Sequence, residues 1–429
     1  MPDLAQNIAS AVESLRSELT EFLQTLVQFP SLPGQEQAAQ YFVADKLRSL
    51  GLAVDVVPSE LRDVRDHPAF CDDGVPFRER LNVVARWHGT GRRSDSSVSR
   101  SIVLNGHMDV VPAGSEALWS DSPWSGAIHD GKLYGRGSCD MKAGVTANIF
   151  AVQCLQFLGF RPGADVLVES VIGEESGGVG TLTTLVKGFK ADAAIITEPT
   201  RLHLCPVQSG ALTFRIRVSG RAIHACMKPY GMSAIEKFYP VLESVQDLER
   251  KRHIAYRNPL FEDPNNIAPV NFGTIHGGDW PSTVPDNLVV EGRFGVMPGE
   301  SIAAARQAMV GALAAASARD PWLSQHPPEL QWFEGQFESG ETSQDEPIVQ
   351  VIAACHRESF GALPVVEGVT YGSDLRLFTN HGVMPAVLYG PGSIFNAHTV
   401  DEFVELDEVI AATKVLALIT TRWCGGNLA

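Results

Sequence analysis

Residues 101–111 read SIVLNGHMDVV: a short apolar run, Ile102–Leu104, leads straight into Asn105, Gly106, His107 and Asp109. Such a run suits a strand buried on both faces, and polar side chains gathered at its carboxyl end suit a site at the strand tip. The arrangement recurs downstream. DVLVESVIGEE (165–175) ends in Glu174 and Glu175, and ADAAIITEP (191–199) carries Glu198 near its end. Between the first two strands lies ANIFAVQCLQFLG (147–159), a helical pattern stopped by glycine. Strands alternating with helices, with polar residues at the strand ends, predict an open α/β sheet.

Upstream, LAVDVVP (52–58) and LNVVARW (81–87) read as further strands, and AAQYFVADKLRSLG (38–51) as a helix. Ile8, Val12, Leu15, Leu19, Phe22, Leu23 and Leu26 share one face of an acidic amphipathic helix at the N-terminus. GTGRRSDSSVSR (89–100) is polar and Gly/Ser-rich, which predicts a solvated loop.

From about residue 209 the pattern changes. GALTFRIRVSG (210–220) alternates apolar and polar residues, as a strand with one wet face does. A helix (233–250), two strands (271–278 and 287–296), a second helix (300–318) and a last strand (329–337) follow. That order, βαββαβ, is the ferredoxin-like unit. Its first strand has no evident cover and is expected at a sheet edge, where a two-fold partner could extend the sheet. The αβ character resumes at about residue 343 with VVEGVTYGSD, PAVLYGPG and a C-terminal helix, DEVIAATKVLALITTRW. The expected division is residues 1–208 with 341–429 as one α/β domain, and 209–340 as an inserted α+β domain.

Bulk properties agree with two soluble domains. A chain of 429 residues exceeds what one core usually sustains. The formal charge of −16 argues against a surface that neutralises phosphate backbones, so no nucleic-acid partner is expected. Seven cysteines without a CxxC pair read as thiols in a reducing compartment. The N-terminus has no basic segment followed by an apolar one, and no apolar run is long enough to span a membrane. The cytoplasm is the expected location.

Five segments set His, Asp or Glu beside turn residues: NGHMDVVP (105–112), GRGSCDMKAG (135–144), GEESGG (173–178), TEP (197–199) and NAHTVDE (396–402). Zinc accepts imidazole nitrogen and carboxylate oxygen, and two zinc ions close together need a carboxylate between them. His107, Asp140, Glu175, Glu198 and His398 are the candidate ligands, with Glu174 left over as a base. Asp140 could also cap the helix that follows it. The remaining histidines outside these segments, His224 apart, are read as structural.

These five ordered motifs resemble the M20 metallopeptidase family, particularly its acetylornithine deacetylase and succinyl-diaminopimelate desuccinylase branch. The resemblance covers nearly the whole chain. It implies a zinc-peptidase-like catalytic domain with a mixed central sheet, interrupted by a lid and dimerisation domain, and hence a homodimer. It implies that His107 and Glu198 bind one divalent ion, Glu175 and His398 the other, and that Asp140 bridges them. Zinc is the expected metal, with cobalt or manganese as alternatives. Asp109 would hydrogen-bond the His107 ring, Glu174 would be general base and acid, and metal-bound hydroxide would attack the amide carbonyl. His224, in SGRAIHA (219–225), would stabilise the oxyanion in the partner's cleft.

Arg376, in YGSDLR (371–376), lies in a stretch that resembles the family's G-T-S-D-x-R loop, with Gly372 at the Thr position, and would hold a substrate carboxylate or else pair with Asp374. Thr283 stands where many relatives have a substrate-contacting Asn, so that contact must differ. Trp119, Trp124 and Trp280 flank motif loops and suit either an aromatic pocket or plain packing. The implied activity is hydrolysis of an acyl–amide bond on a small, carboxylate-bearing substrate. The alternatives are the same metal chemistry on an unusual amide, formamide or aromatic amine, and a non-catalytic binding paralogue.

Overall fold

The computed structural model describes residues 4–91 and 99–428. Most of the Gly/Ser-rich stretch, residues 92–98, lies outside the described residues, and so does the loop expected there. The chain divides into two compact units. One comprises residues 1–206, 341–367 and 373–429, and the other 207–340 with 368–372.

The first unit is built on a mixed sheet. Six of its strands lie in the spatial order Ala53–Pro58, Leu81–Trp87, Val166–Val171, Ile102–His107, Ala194–Ile196, Ala386–Leu388. The first three pair antiparallel; from Val166–Val171 to Ala386–Leu388 every pairing is parallel. The parallel strands are buried along their whole length, as their continuous apolar character requires. Register aligns their carboxyl ends, with His107 opposite Val171 and Asn105 opposite both Glu169 and Ile196.

Helices cover the sheet. Ala143–Phe157 buries twelve of its fifteen residues, and Gly144 is needed where it crosses the sheet: a Cβ there would sit 2.1 Å from the Thr197 carbonyl oxygen. Leu406–Cys424 packs beside it, so Phe150, Leu155, Leu416 and Ile419 share one core. Each such side chain contributes roughly 1.5–3 kcal/mol by leaving water. The N-terminal pattern forms two helices, Leu4–Ser14 and Arg16–Val27, and buries Ile8, Val12, Leu19, Phe22, Leu23 and Leu26.

One strand residue is out of keeping with its surroundings. Glu169 is wholly buried and accepts a hydrogen bond from Asn105 Nδ2 at 3.0 Å. Burial, helped by the nearby Asp374 and opposed by the Asn105 bond, pushes its carboxyl from the ordinary 4.5 up to about 8. The folded chain therefore holds a proton here that the unfolded chain has lost, and stability falls as pH rises from about 4.5 to about 8. Glu169→Gln, neutral throughout, is expected to melt higher than the parent at pH 8. The gap should shrink toward pH 5; thermal melts showing a constant gap would contradict this.

The second unit follows the order strand Gly210–Ser219, helix Ala234–Ala255, strands Val270–Gly277 and Asn287–Val296, helix Ile302–Arg319, strand Glu329–Phe337. All four strands form one antiparallel sheet over a core of Phe214, Ile216, Val290, Phe294 and Met309. The expectation that Gly210–Ser219 lies at an edge is corrected here. It pairs with Asn287–Val296 on one side and Glu329–Phe337 on the other, and the edges are Val270–Gly277 and Glu329–Phe337. In a βαββαβ chain each helical crossover skips one strand position. The third strand then fits between the first and second, and the fourth takes the far side of the first, which leaves the first and third inside whatever their surface polarity. No helix among the described residues is long and apolar enough to cross a membrane.

Candidate metal centre

Parallel register brings the motif residues together. His107 ends its strand, Glu174 and Glu175 follow Val171 by a short turn, and Glu198 lies two residues beyond Ile196. Asp140 enters from the turn before helix Ala143–Phe157, with non-helical φ and ψ of −120° and 98°. It makes no capping hydrogen bond, so the N-cap reading does not hold. Its carboxylate turns inward instead: Oδ1 lies 3.0 Å from His107 Nε2, and Oδ2 3.5 Å from His398 Nε2. His398 also meets Glu175 Oε1 at 3.0 Å. One oxygen of Asp140 thus faces each imidazole.

Glu174 Oε2 and Glu198 Oε1 each lie 3.9 Å from the same His107 Nε2. The ligand atoms of His107, Glu174 and Glu198 fall within 4.8 Å of one another, and so do those of His107, Asp140 and Glu175. Glu174, expected to remain free as base, is therefore within reach of the same point as Glu198.

Asp109 holds this corner differently from the expectation. The His107 ring bonds through Nδ1 to the main-chain carbonyl of Asp109 at 2.9 Å, while the carboxylate stands 3.7 Å away. That carboxylate accepts from the main-chain N–H of Glu174 at 3.2 Å and of Glu175 at 3.0 Å. Asp109 therefore fixes the ring with its backbone and the two glutamates with its side chain. The turn after Glu175 has a brace that no motif announced. Asp73 Oδ2 accepts from Ser176 Oγ at 2.9 Å and from the buried Arg80 at 2.7 Å.

The electrostatics favour a cation. Burial raises Glu174 well above the usual carboxylate range, with Glu198 adding to it and His107 opposing. Glu198 is raised by burial and Asp140, and Glu175 likewise. Burial works against a charged His107, yet its bond to Asp140 and the carboxylates of Asp109, Glu198 and Glu174 lift it well above its ordinary value. The bond to Glu175, against the pull of burial, lifts His398 to about 9. Carboxylates crowded this closely in a largely buried site repel one another, and protons on the imidazoles offset only part of that. Imidazole nitrogens with carboxylate oxygens are the donor set of zinc, and divalent ions would relieve the repulsion. The residues fit a dinuclear centre.

The remaining expected residues lie elsewhere. Arg376 is fully buried and donates from Nη2 to the Gly177 carbonyl at 2.8 Å. In the second unit, His224 is exposed and bridges to Thr283. Its Nδ1 accepts the Cys226 N–H at 3.2 Å, which in the neutral ring leaves the proton on Nε2. Trp119 lines a cavity of about 520 Å³ with Tyr134 and Phe403, whereas Trp280 is exposed.

Comparison with known proteins matches residues 103–422 to the model of peptidase family M20/M25/M40. The chain is 28% identical to an N-formyl-4-amino-5-aminomethyl-2-methylpyrimidine deformylase of Halalkalibacterium halodurans, over 98% of this chain and 97% of the relative. It is 29% identical to an acetylornithine deacetylase of Myxococcus xanthus, over 83% and 87%. Among solved structures, human carnosine dipeptidase 1 superposes with a TM-score of 0.71 at 16% identity, covering 98% of this chain and 100% of that one.

Proposed function

The chain belongs to peptidase family M20/M25/M40, and from that premise we propose that it is a dinuclear amidohydrolase that removes a small acyl or formyl group from an amine. The observation that carries the proposal is the ring of His107, Asp140, Glu174, Glu175, Glu198 and His398 at the parallel strand tips. His107 with Glu198, and His398 with Glu175, are assigned to the two ions, with Asp140 between them. Zinc is the proposed metal. When bound, such ions supply Lewis acidity, lowering the proton affinity of water and drawing charge onto a carbonyl oxygen. Glu174 takes the proton from the attacking water and returns it to the departing nitrogen, so that the C–N bond breaks to a carboxylic acid and an amine. A binding paralogue would have no use for such a base.

Two observations favour a formamide over a carboxylate-bearing amide. Arg376, the candidate carboxylate anchor, is fully buried and gives one N–H to the Gly177 carbonyl. Over nearly the full length of both chains, this chain is also 28% identical to the deformylase, against 25% to an acetylornithine deacetylase that spans as much. Assay of the zinc-loaded protein on N-formyl arylmethylamines and N-acetyl amino acids in parallel is expected to give higher kcat/KM for the formamides. Cleavage confined to carboxylate-bearing amides would reverse the assignment and return Arg376 to the substrate.

The protein is further proposed to act as a homodimer through the inserted unit. The edge strand Val270–Gly277 is mostly exposed, and Ile275 upon it is 56% exposed. Tyr239 on the neighbouring helix is 65% exposed. A bare edge beside apolar side chains is a liability unless a partner covers it. All seven cysteines are unpaired, including the exposed Cys226, which supports the cytoplasm as the proposed location.

A further inference from the structure

Glu402, four residues after His398, carries a carboxylate that solvent does not reach. Oε2 accepts from Arg136 Nη1 at 2.6 Å. Oε1 accepts two main-chain N–H groups, of Cys139 at 2.9 Å and Asp140 at 3.1 Å. The Glu402 carbonyl oxygen accepts from Gly135 N at 2.9 Å, so backbone and side chain both grip the 135–140 turn. Arg136 is itself buried, its guanidinium 5.2 Å from the Trp119 ring centre. A buried carboxylate receiving three N–H donors, one of them cationic, is a stiff joint, because charge-assisted bonds are short and strong.

Its place in the chain gives the joint a purpose. Asp140 faces both imidazoles, and its backbone N–H is held by Glu402. His398 sits on the same short loop as Glu402, with a left-handed φ of 60°. His107, Glu174 and Glu198 are placed by strand ends and by Asp109 instead, and the Glu402 carboxylate bonds to Arg136, Cys139 and Asp140 rather than to them. We infer that Glu402 is a positioning residue: with Arg136 it sets Asp140 against His398, and so governs the metal position formed by Asp140, Glu175 and His398 more strongly than the one formed by His107 and Glu198, which it reaches only through the shared Asp140. This rests on the dinuclear reading given above.

Metal titration separates the two ideas. Chelator-stripped parent protein, Glu402→Gln and Arg136→Lys are titrated with Co(II), and binding is followed by calorimetry and visible absorption. Melts of the metal-free proteins report folding. Partners that orient ligands typically govern ~10–100-fold in metal affinity. Glu402→Gln is expected to weaken the second ion by that factor while the first stays within a few-fold of the parent. Arg136→Lys, which keeps the carboxylate on its two N–H groups, should fall between. A purely structural role would lower the melting temperature and weaken both ions together, and that result overturns the inference, as does unchanged binding of both. If the parent itself takes up a single ion, the dinuclear reading fails first and the inference falls with it. If Glu402→Gln does not fold, Arg136→Lys decides alone by whether its loss is confined to the second ion.

Discussion

Glu174→Gln is expected to lower turnover by ~10²–10⁴-fold while metal content stays near that of the parent protein. Glutamine keeps the size of the side chain but cannot accept the proton of the attacking water. The main-chain N–H of Glu174 would still donate to Asp109, so the loop has no reason to move. The prediction is demanding because Glu174 is not set apart by position: its carboxylate lies as far from His107 as that of Glu198 does. What separates them is the assigned role. Elemental analysis beside steady-state kinetics distinguishes the cases. A Glu174→Gln protein that lost metal would make Glu174 a ligand. A Glu175→Gln protein that kept metal and lost turnover would show the roles of the pair reversed.

His224→Ala is expected to cost ~10²–10³-fold in kcat, the usual consequence of removing one donor to a developing oxyanion. The tautomer set by Cys226 leaves an N–H on Nε2, which is the donor an oxyanion needs. His224 is exposed within its own unit, and the acceptor we propose for it is the cleft of a second copy. Mixing His224→Ala chains with Glu174→Gln chains tests this. In a hybrid dimer one cleft keeps its own Glu174 and receives an intact His224 from the partner, so part of the activity should return. Hybrids verified by mass with no recovered activity would confine His224 to its own chain or remove it from catalysis.

Much of the architecture is legible in the sequence because it rests on local patterns. Continuous apolar runs ending in His107, Glu174 and Glu198 announce parallel strands with a site at their tips, and the alternation of GALTFRIRVSG announces a different kind of sheet. The order of strands in the inserted unit is not legible that way. It follows from which strand position each helical crossover skips, a property of connections, so the wet face of Gly210–Ser219 misleads about its neighbours. The break between the N-terminal helices at Leu15 has no proline or glycine to mark it. The Pro347–Phe360 helix, by contrast, carries its own signals, with Pro347 in the first turn and Gly361 at its end in a left-handed conformation.

The candidate metal ligands are legible as a set, through five short motifs, while the groups that hold them are mostly not. Asp109 is found, yet which of its atoms meets which partner is a matter of tertiary geometry. Asp73 and Arg80 brace the Ser176 turn from a segment with no recognisable pattern. Arg376 reads from sequence as a carboxylate anchor, and its burial could be learned only from the fold.

The most direct measurement is a zinc titration of chelator-stripped protein, with hydrolysis of an N-formyl arylmethylamine followed alongside bound metal. A dinuclear amidohydrolase gives no turnover when stripped, and activity that returns with added zinc and levels off as two ions per chain are filled. Undiminished hydrolysis by protein shown to be metal-free, or zinc bound in full with no amide cleaved across the formyl and acetyl substrates, would contradict it.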